Sequence, residues 1–353
     1  MLNAIKVGWF FDGKEWFDHP KPLDLQGAIF PADIVDFSNY TIIPGLVDAH
    51  VHLALPQALE KNIQPEEILA GAKQNAAQIA AQGIAAVRDG GDLQEIGLQL
   101  SRQNQSELLI QSGGAALRRP HLYGTFLGAG TDSNNWTEIM QAYKQKGAKH
   151  LKILVSGIMS FKKYGRVGDL QFSQQELNEL VKAAQAAGLP VMAHASSDPA
   201  VKMAVEAGVQ SIEHGYLVEK STLQQMAEKQ ITWVPTLAAV ANQLEKPHVY
   251  HFSPEQRQVI ARLAAGQLER LGWAAEMGVP LAVGTDSGSS GVSHGQDYLT
   301  ELRLYQKAGL TLTQILTAAT SGGASLIPDY TFDRWLAIPG NLQQNLALLK
   351  KKT

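Results

Sequence analysis

The feature that most narrows the fold is an alternation from Leu46 onward: a short apolar run, a longer stretch with helical periodicity, then another apolar run. Strand-length apolar runs separated by amphipathic helices are the pattern of βα units and a parallel sheet. Strands are predicted to end near His52 (LVDAHVH), Asp89 (IAAVRD), Gly113 (ELLIQSG), Ser156 (HLKILVS), His194 (PVMAH), His214 (QSIEH), Thr236 (TWVPT) and Asp286 (PLAVGTD), eight in all. Helices are predicted over Pro65 to Gln82, Ser173 to Ala187, Asp198 to Ala207, Ser221 to Lys229 and Pro254 to Met277, several closed by a glycine such as Gly83, Gly188, Gly208 or Gly278. Eight such units predict an α/β fold, a (β/α)8 TIM barrel over residues 45–330, with its chemistry at the C-terminal strand ends.

The first 44 residues do not fit the repeat. VGWFFDGKEWF and LDLQGAIFPADIVDF read as short strands around turns at Asp12-Gly13 and Pro31-Ala32. Residues 1–44 and the tail 331–353 are therefore expected to form a small β-sandwich-like appendage.

Composition limits the chemistry. A net charge of −3 over 353 residues argues against a nucleic-acid surface. Zero Cys excludes disulfide scaffolds, thiol nucleophiles and zinc fingers, so a metal site must draw on His, Asp, Glu or a less usual ligand. No run approaches the ~18 apolar residues of a membrane span, and the N-terminus has no leader pattern. A cytoplasmic protein acting on a small molecule, with no nucleic-acid or membrane partner, is expected; a homo-oligomer is left open.

The polar residues at the predicted strand ends form a set. Strand one ends in His50-x-His52, strand four carries Lys152, strand five ends in His194, strand six in His214 and strand eight in Asp286. Residues i and i+2 of a strand share a face and stand about 7 Å apart, close enough for two imidazoles to reach one ion. Any one of these His alone reads as a satisfied core or rim histidine. Six ligand-type residues at five strand ends of one barrel point instead to a metal site.

With these residues in view the chain resembles the amidohydrolase superfamily, and within it metal-dependent hydrolases similar to imidazolonepropionase and to prolidase-like (Xaa-Arg/Lys/Pro) dipeptidases. IIPGLVDAHVHL (42–53), HLKILVSG (150–157), AVEAGVQSIEHG (204–215) and VPLAVGTDSG (279–288) carry much of the resemblance. It implies that His50, His52 and Asp286 bind the more buried of two divalent metals and His194 and His214 the more exposed one. It further implies that Lys152, as an N-carboxylated side chain, bridges them, because an ammonium offers no lone pair. Two such ions about 3.5–4 Å apart share a water, lower its pKa from about 15.7 toward about 7, and polarise the scissile carbonyl. Asp286 is then the general base and acid. Zinc suits the donor set, with manganese, iron or cobalt as alternatives. The tail is shorter than relatives carry, so the closing half of the small domain is expected to be curtailed.

Substrate contacts are less specific. Arg118, Arg119, His121 and Tyr123 follow strand three, and Lys162, Lys163, Tyr164 and Arg166 follow strand four. His121 is the first candidate and Tyr216 the next, with Arg118 and Arg166 as clamps for a substrate carboxylate. Arg88 and Asp89 read as structural pairing residues, and His248 and His251 as surface histidines. The expected function is binuclear metal-dependent hydrolysis, by a metal-activated hydroxide, of an amide-type carbon-nitrogen bond in a dipeptide or N-acyl amino acid. A mononuclear deaminase or cyclic-amide hydrolase is the alternative, and a non-catalytic metal-binding barrel a third reading.

Overall fold

In the computed structural model, residues 7–18, 36–55, 63–103, 107–245, 251–328, 330–332 and 334–344 are described. The chain opens with a hairpin, β1 (Val7–Phe11) and β2 (Trp16–Asp18), paired antiparallel. Its turn forms as the residues dictate: Asp12 Oδ1 accepts from the amides of Lys14 and Glu15, each at 2.8 Å, and Gly13 adopts φ 106°. The strand expected before Pro31 lies outside the described residues. β3 (Phe37–Pro44) runs parallel to β1. β11 (Trp335–Pro339) pairs antiparallel with β3, and the four strands form one mixed sheet ordered β11-β3-β1-β2.

Only Gly45 separates β3 from β4 (Leu46–Val51). β4, β5 (Ile84–Asp89) and β6 (Leu109–Ser112) form a three-stranded parallel sheet. β7 (Leu151–Leu154), β8 (Val191–Ala195), β9 (Ser211–His214) and β10 (Thr232–Val234) form a four-stranded one. Backbone hydrogen bonds join the two sheets on both sides. Leu117 donates to the Lys152 carbonyl at 2.8 Å and accepts from the Leu154 amide at 3.1 Å. On the other side, Pro280 accepts from Trp233 of β10 and Val283 from Ala49 of β4, each at 2.8 Å. The eighth strand predicted over residues 280–286 is thus a bonded segment with no continuous ladder. Its backbone leaves the extended region at Asp286, φ 58°, and a Cβ at Gly284 would lie 2.8 Å from that of His50.

The predicted helices form within one or two residues of expectation: α1 (Pro65–Ala80), α4 (Gln174–Ala186), α5 (Asp198–Ala207), α6 (Lys220–Glu228) and α8 (Pro254–Glu276). Ser173 starts α4 through a capping box with Glu176, whose carboxylate accepts from the Ser173 amide at 2.8 Å. Gly208, at φ 81°, ends α5 in the left-handed conformation that a side chain would resist. Further helices are α2 (Ile96–Gln103), α3 (Trp136–Gln145), α7 (Ala238–Glu245), α9 (Tyr298–Lys307) and α10 (Leu312–Thr317), the last continuing into a π-helical turn, Ala318–Gly322. One apolar core packs these helices, α7 excepted, onto both parallel sheets. No helix among the described residues is long and apolar enough to cross a membrane.

Candidate active site

Strand alternation accounts for part of the site. On β4, Asp48 and His50 share a face with His52 just beyond the strand, and on β9 Ser211 and Glu213 share one. His50, His52, Glu213 and His214 are all buried. Alternation would send His214 away from Glu213, but the backbone turns left-handed at His214, φ 70°, and its ring comes to lie 5.0 Å from that of His50. Thr236 at φ 51° and Asp286 at φ 58° end their segments the same way. Left-handed non-glycine backbone costs about 1–3 kcal/mol per residue and persists only where its surroundings hold it. Three such residues at the C-terminal ends of neighbouring strands mark this end of the sheets as the working face.

Ligand atoms of His50, His52 and Asp286 lie within 4.8 Å of one another. Asp286 Oδ1 is 3.5 Å from Nε2 of both His50 and His52, and Lys152 Nζ is 3.4 Å from His50 Nε2. His194 and His214 lie outside that trio as an adjoining pair, ring centroids 4.6 Å apart. Tyr123 stacks on His194 and Tyr216 on His214.

The hydrogen bonds around the rings settle which nitrogens carry protons. His50 Nδ1–H donates to Glu213 Oε2 at 2.7 Å, and His52 Nδ1–H to the Gly91 carbonyl at 2.8 Å. Neither partner can donate, so each Nε2 keeps its lone pair. Burial pushes His52 and His194 down to about 3, and His50 and His214 well below the ordinary imidazole value, so all four rings are neutral at neutral pH. Burial also lowers Lys152 against the pull of the Glu213 and Asp286 carboxylates, favouring the neutral amine. It raises Asp286, with Lys152 pulling the other way. Neutral imidazoles with free lone pairs, a carboxylate and a partly deprotonated amine are a donor set that fits a divalent cation.

Glu213 escapes sequence reading. It lies fully buried between His50 and Arg88, whose guanidinium donates to Glu213 Oε1 at 2.7 Å. Ser211 Oγ donates to the same oxygen at 2.5 Å. The one available signal is a charged residue inside the predicted strand QSIEH. Asp89, adjacent to Arg88 on β5, points to the other face and accepts from the Leu53 amide and the Ser112 hydroxyl.

The expected substrate contacts fare unevenly. Arg118 is buried, and its guanidinium donates four of its five N–H groups to the carbonyls of Tyr123, Gly128, Ala129 and Leu122, bracing its own loop. His121 is exposed, and Tyr123 is the ring of that loop that reaches the histidines. Arg166 is exposed in the turn after Lys163. Tyr216, Asp286 and His251 line a cavity of about 500 Å³; His248 lies outside the described residues.

Parallel sheets covered by helices, with imidazoles and a carboxylate gathered at the C-terminal strand ends, define an α/β enzyme of the kind that works through metal ligands. The profile of the Amidohydrolase family matches residues 41–327, and the chain belongs to that family, which makes it a hydrolase of carbon-nitrogen bonds. It is similar to an uncharacterized protein of Mycobacterium tuberculosis, 29% identical over 311 residues, 88% of this chain and 78% of that one. It is also similar to the ochratoxinase of Aspergillus niger, 28% identical over 179 residues, 50% of this chain and 36% of that enzyme. Among solved structures, a Xaa-Pro dipeptidase with bound methionine in its active site superposes with TM-score 0.78 at 23% identity, covering 98% of this chain and 96% of that one. The A. niger ochratoxinase superposes with TM-score 0.77 at 21% identity, covering 98% and 91%. These likenesses are of fold, and the fold is TIM-barrel-like.

Proposed function

We propose that the protein is a binuclear metal-dependent hydrolase of an amide bond in a dipeptide or N-acyl amino acid. The observation that carries this reading is the convergence of His50 Nε2, His52 Nε2 and Asp286 Oδ1 with Lys152 Nζ 3.4 Å from His50. His50, His52 and Asp286 would hold one ion and His194 and His214 the other, zinc suiting imidazole and carboxylate donors where no thiolate exists. Divalent ions bound there supply Lewis acidity toward a carbonyl oxygen and a lowered pKa for water.

Lys152 would be carboxylated: its neutral amine forms a nitrogen-carbon bond to carbon dioxide and releases one proton, leaving an anionic carbamate with two oxygens. Its burial and its position beside His50 support this. Asp286 moves the proton, accepting it on a carboxylate oxygen from the attacking water and returning it to the departing amide nitrogen. At the scale of the fold, the hydrogen bonds on both sides of the two sheets support a (β/α)8 barrel over residues 45–330, with residues 1–44 and 331–353 as the small domain.

Metal analysis after purification with zinc and bicarbonate tests the reading, with two ions per chain expected. One ion would favour the mononuclear deaminase or cyclic-amide hydrolase. A carbamate signal from 13C-bicarbonate is expected in the wild type and absent from Lys152→Met; its absence from both would remove the carboxylated lysine. Asp286→Asn is expected to lower hydrolysis of a dipeptide and N-acyl amino acid panel by about 10²-fold or more, and unchanged rates would remove Asp286 as the proton carrier.

A further inference from the structure

The cavity beside Asp286 has walls that are largely apolar. Ile158, Met159, Phe161, Tyr216 and Phe252 line it, and its volume of about 500 Å³ suits a side chain together with the atoms flanking a scissile bond. The walls are braced. Met159 and Tyr216 are buried in one apolar cluster with Val240, Ile260 and Leu263, and Phe161 meets Phe252 edge to face at 5.6 Å. Ile158 stays 48% exposed, an apolar lip of the cavity.

Among the described lining residues there is no Lys or Arg; Asp286 is the one carboxylate and His251 the one imidazole, and the other polar groups are the neutral side chains of Gln243, Gln256, Ser289 and Ser290. The cations carried on α8 are engaged elsewhere: Arg262 lies over the Tyr164 ring at 3.7 Å, Arg257 donates to the Leu244 carbonyl, and Arg270 to the carbonyls of Val218 and Gly266. Arg118 braces its own loop. A side-chain carboxylate seated among Ile158, Phe161 and Phe252 would give up water for apolar walls that offer no Lys or Arg, and a charge so placed is costly.

We infer that this cavity takes a bulky apolar side chain, aromatic or branched aliphatic, of an N-acylated amino acid or its amide, and discriminates against an acidic one. The inference rests on the amide-hydrolase reading above and gives that site its substrate class.

The test uses the full-length, metal-loaded protein with N-acetyl-phenylalaninamide, N-acetyl-leucinamide and the α-amide of N-acetyl-glutamate, whose backbones are alike and uncharged. Turnover and calorimetric binding are both read. The phenylalanine and leucine compounds are expected to exceed the glutamate compound by about tenfold or more in kcat/KM and in affinity. Phe161→Ala and Phe252→Ala are each expected to shrink that ratio several-fold, and Ile158→Arg to raise the glutamate compound toward the others. Equal or reversed preference in the wild type overturns the inference, as does a ratio that none of the three variants moves. If no amide is cleaved while two metals are bound, the hydrolase reading fails by itself, and the calorimetric preference still decides what the cavity accepts.

Discussion

Glu213 takes an imidazole N–H on one oxygen and a guanidinium on the other, all within the protein interior. Such a carboxylate fixes the tautomer of the ring it holds and raises the basicity of the opposite nitrogen. In Glu213→Gln the amide must choose. Presenting its oxygen to His50 turns its NH2 against Arg88; presenting its NH2 to His50 demands the tautomer with the proton on Nε2, where a metal would bind. Zinc affinity is therefore expected to fall about 10–100-fold, measured by competition with a chromogenic chelator. Wild-type affinity in this variant would show that His50 is oriented by something else.

At the scale of elements, the residue types at the strand ends could be read in advance, and the backbone angles that aim them could not. His50, His52, Lys152, His194, His214 and Asp286 are visible because each is a polar residue in or after an apolar run. Glu213 sits in the same run as His214, yet alternation allows only one of two neighbours to face the site, and the φ of 70° that admits both is not a property of any residue type. The surroundings of Arg118 are hidden for a related reason: a basic loop residue reads as solvent-facing until the path of the loop shows four carbonyls closing around it. The same blindness extends to Glu301 on α9, which accepts the Leu237 and Ala238 amides at 2.8 and 2.7 Å where α7 begins. Burial pushes its carboxyl up from 4.5 to about 8. The folded chain thus binds a proton there that the unfolded chain has released, so this contribution to stability is complete below pH 4.5 and is lost as pH rises through about 8. Glu301→Gln does not titrate, and it keeps one acceptor oxygen while turning its NH2 against the other backbone amide. Its thermal midpoint should lie below the wild type near pH 5 and close on it steadily toward pH 8.5; a difference independent of pH would contradict the raised carboxyl.

At the scale of the whole molecule, a late strand closes onto an early one. β11, near the C-terminus, pairs with β3 and brings Ala337 and Trp335 against Phe10 and Ile42 of the small sheet, while the Arg334 carbonyl accepts from the Gly45 amide at 2.9 Å. A chain ended at residue 330 loses that strand, uncovers apolar side chains and leaves β3 with an open edge. It is expected to melt several degrees lower and to bind an apolar dye in its folded state. An unchanged midpoint would mean that the tail contributes nothing to the parallel sheets.

The passage from β3 through Gly45 into β4 has one more consequence. The chain reaches His50 directly from the small sheet, and a Cβ at Gly45 would lie 2.5 Å from that of Ala85, which leaves little room for slack to collect. The count of residues between the small sheet and the histidines therefore has a parity. An odd insertion there would invert every side chain that follows in the strand, turning His50 and His52 outward and Ala49 and Val51 inward, whereas an even one would restore the faces. In this chain the genetic tolerance of His50 and His52 is written in odd and even numbers.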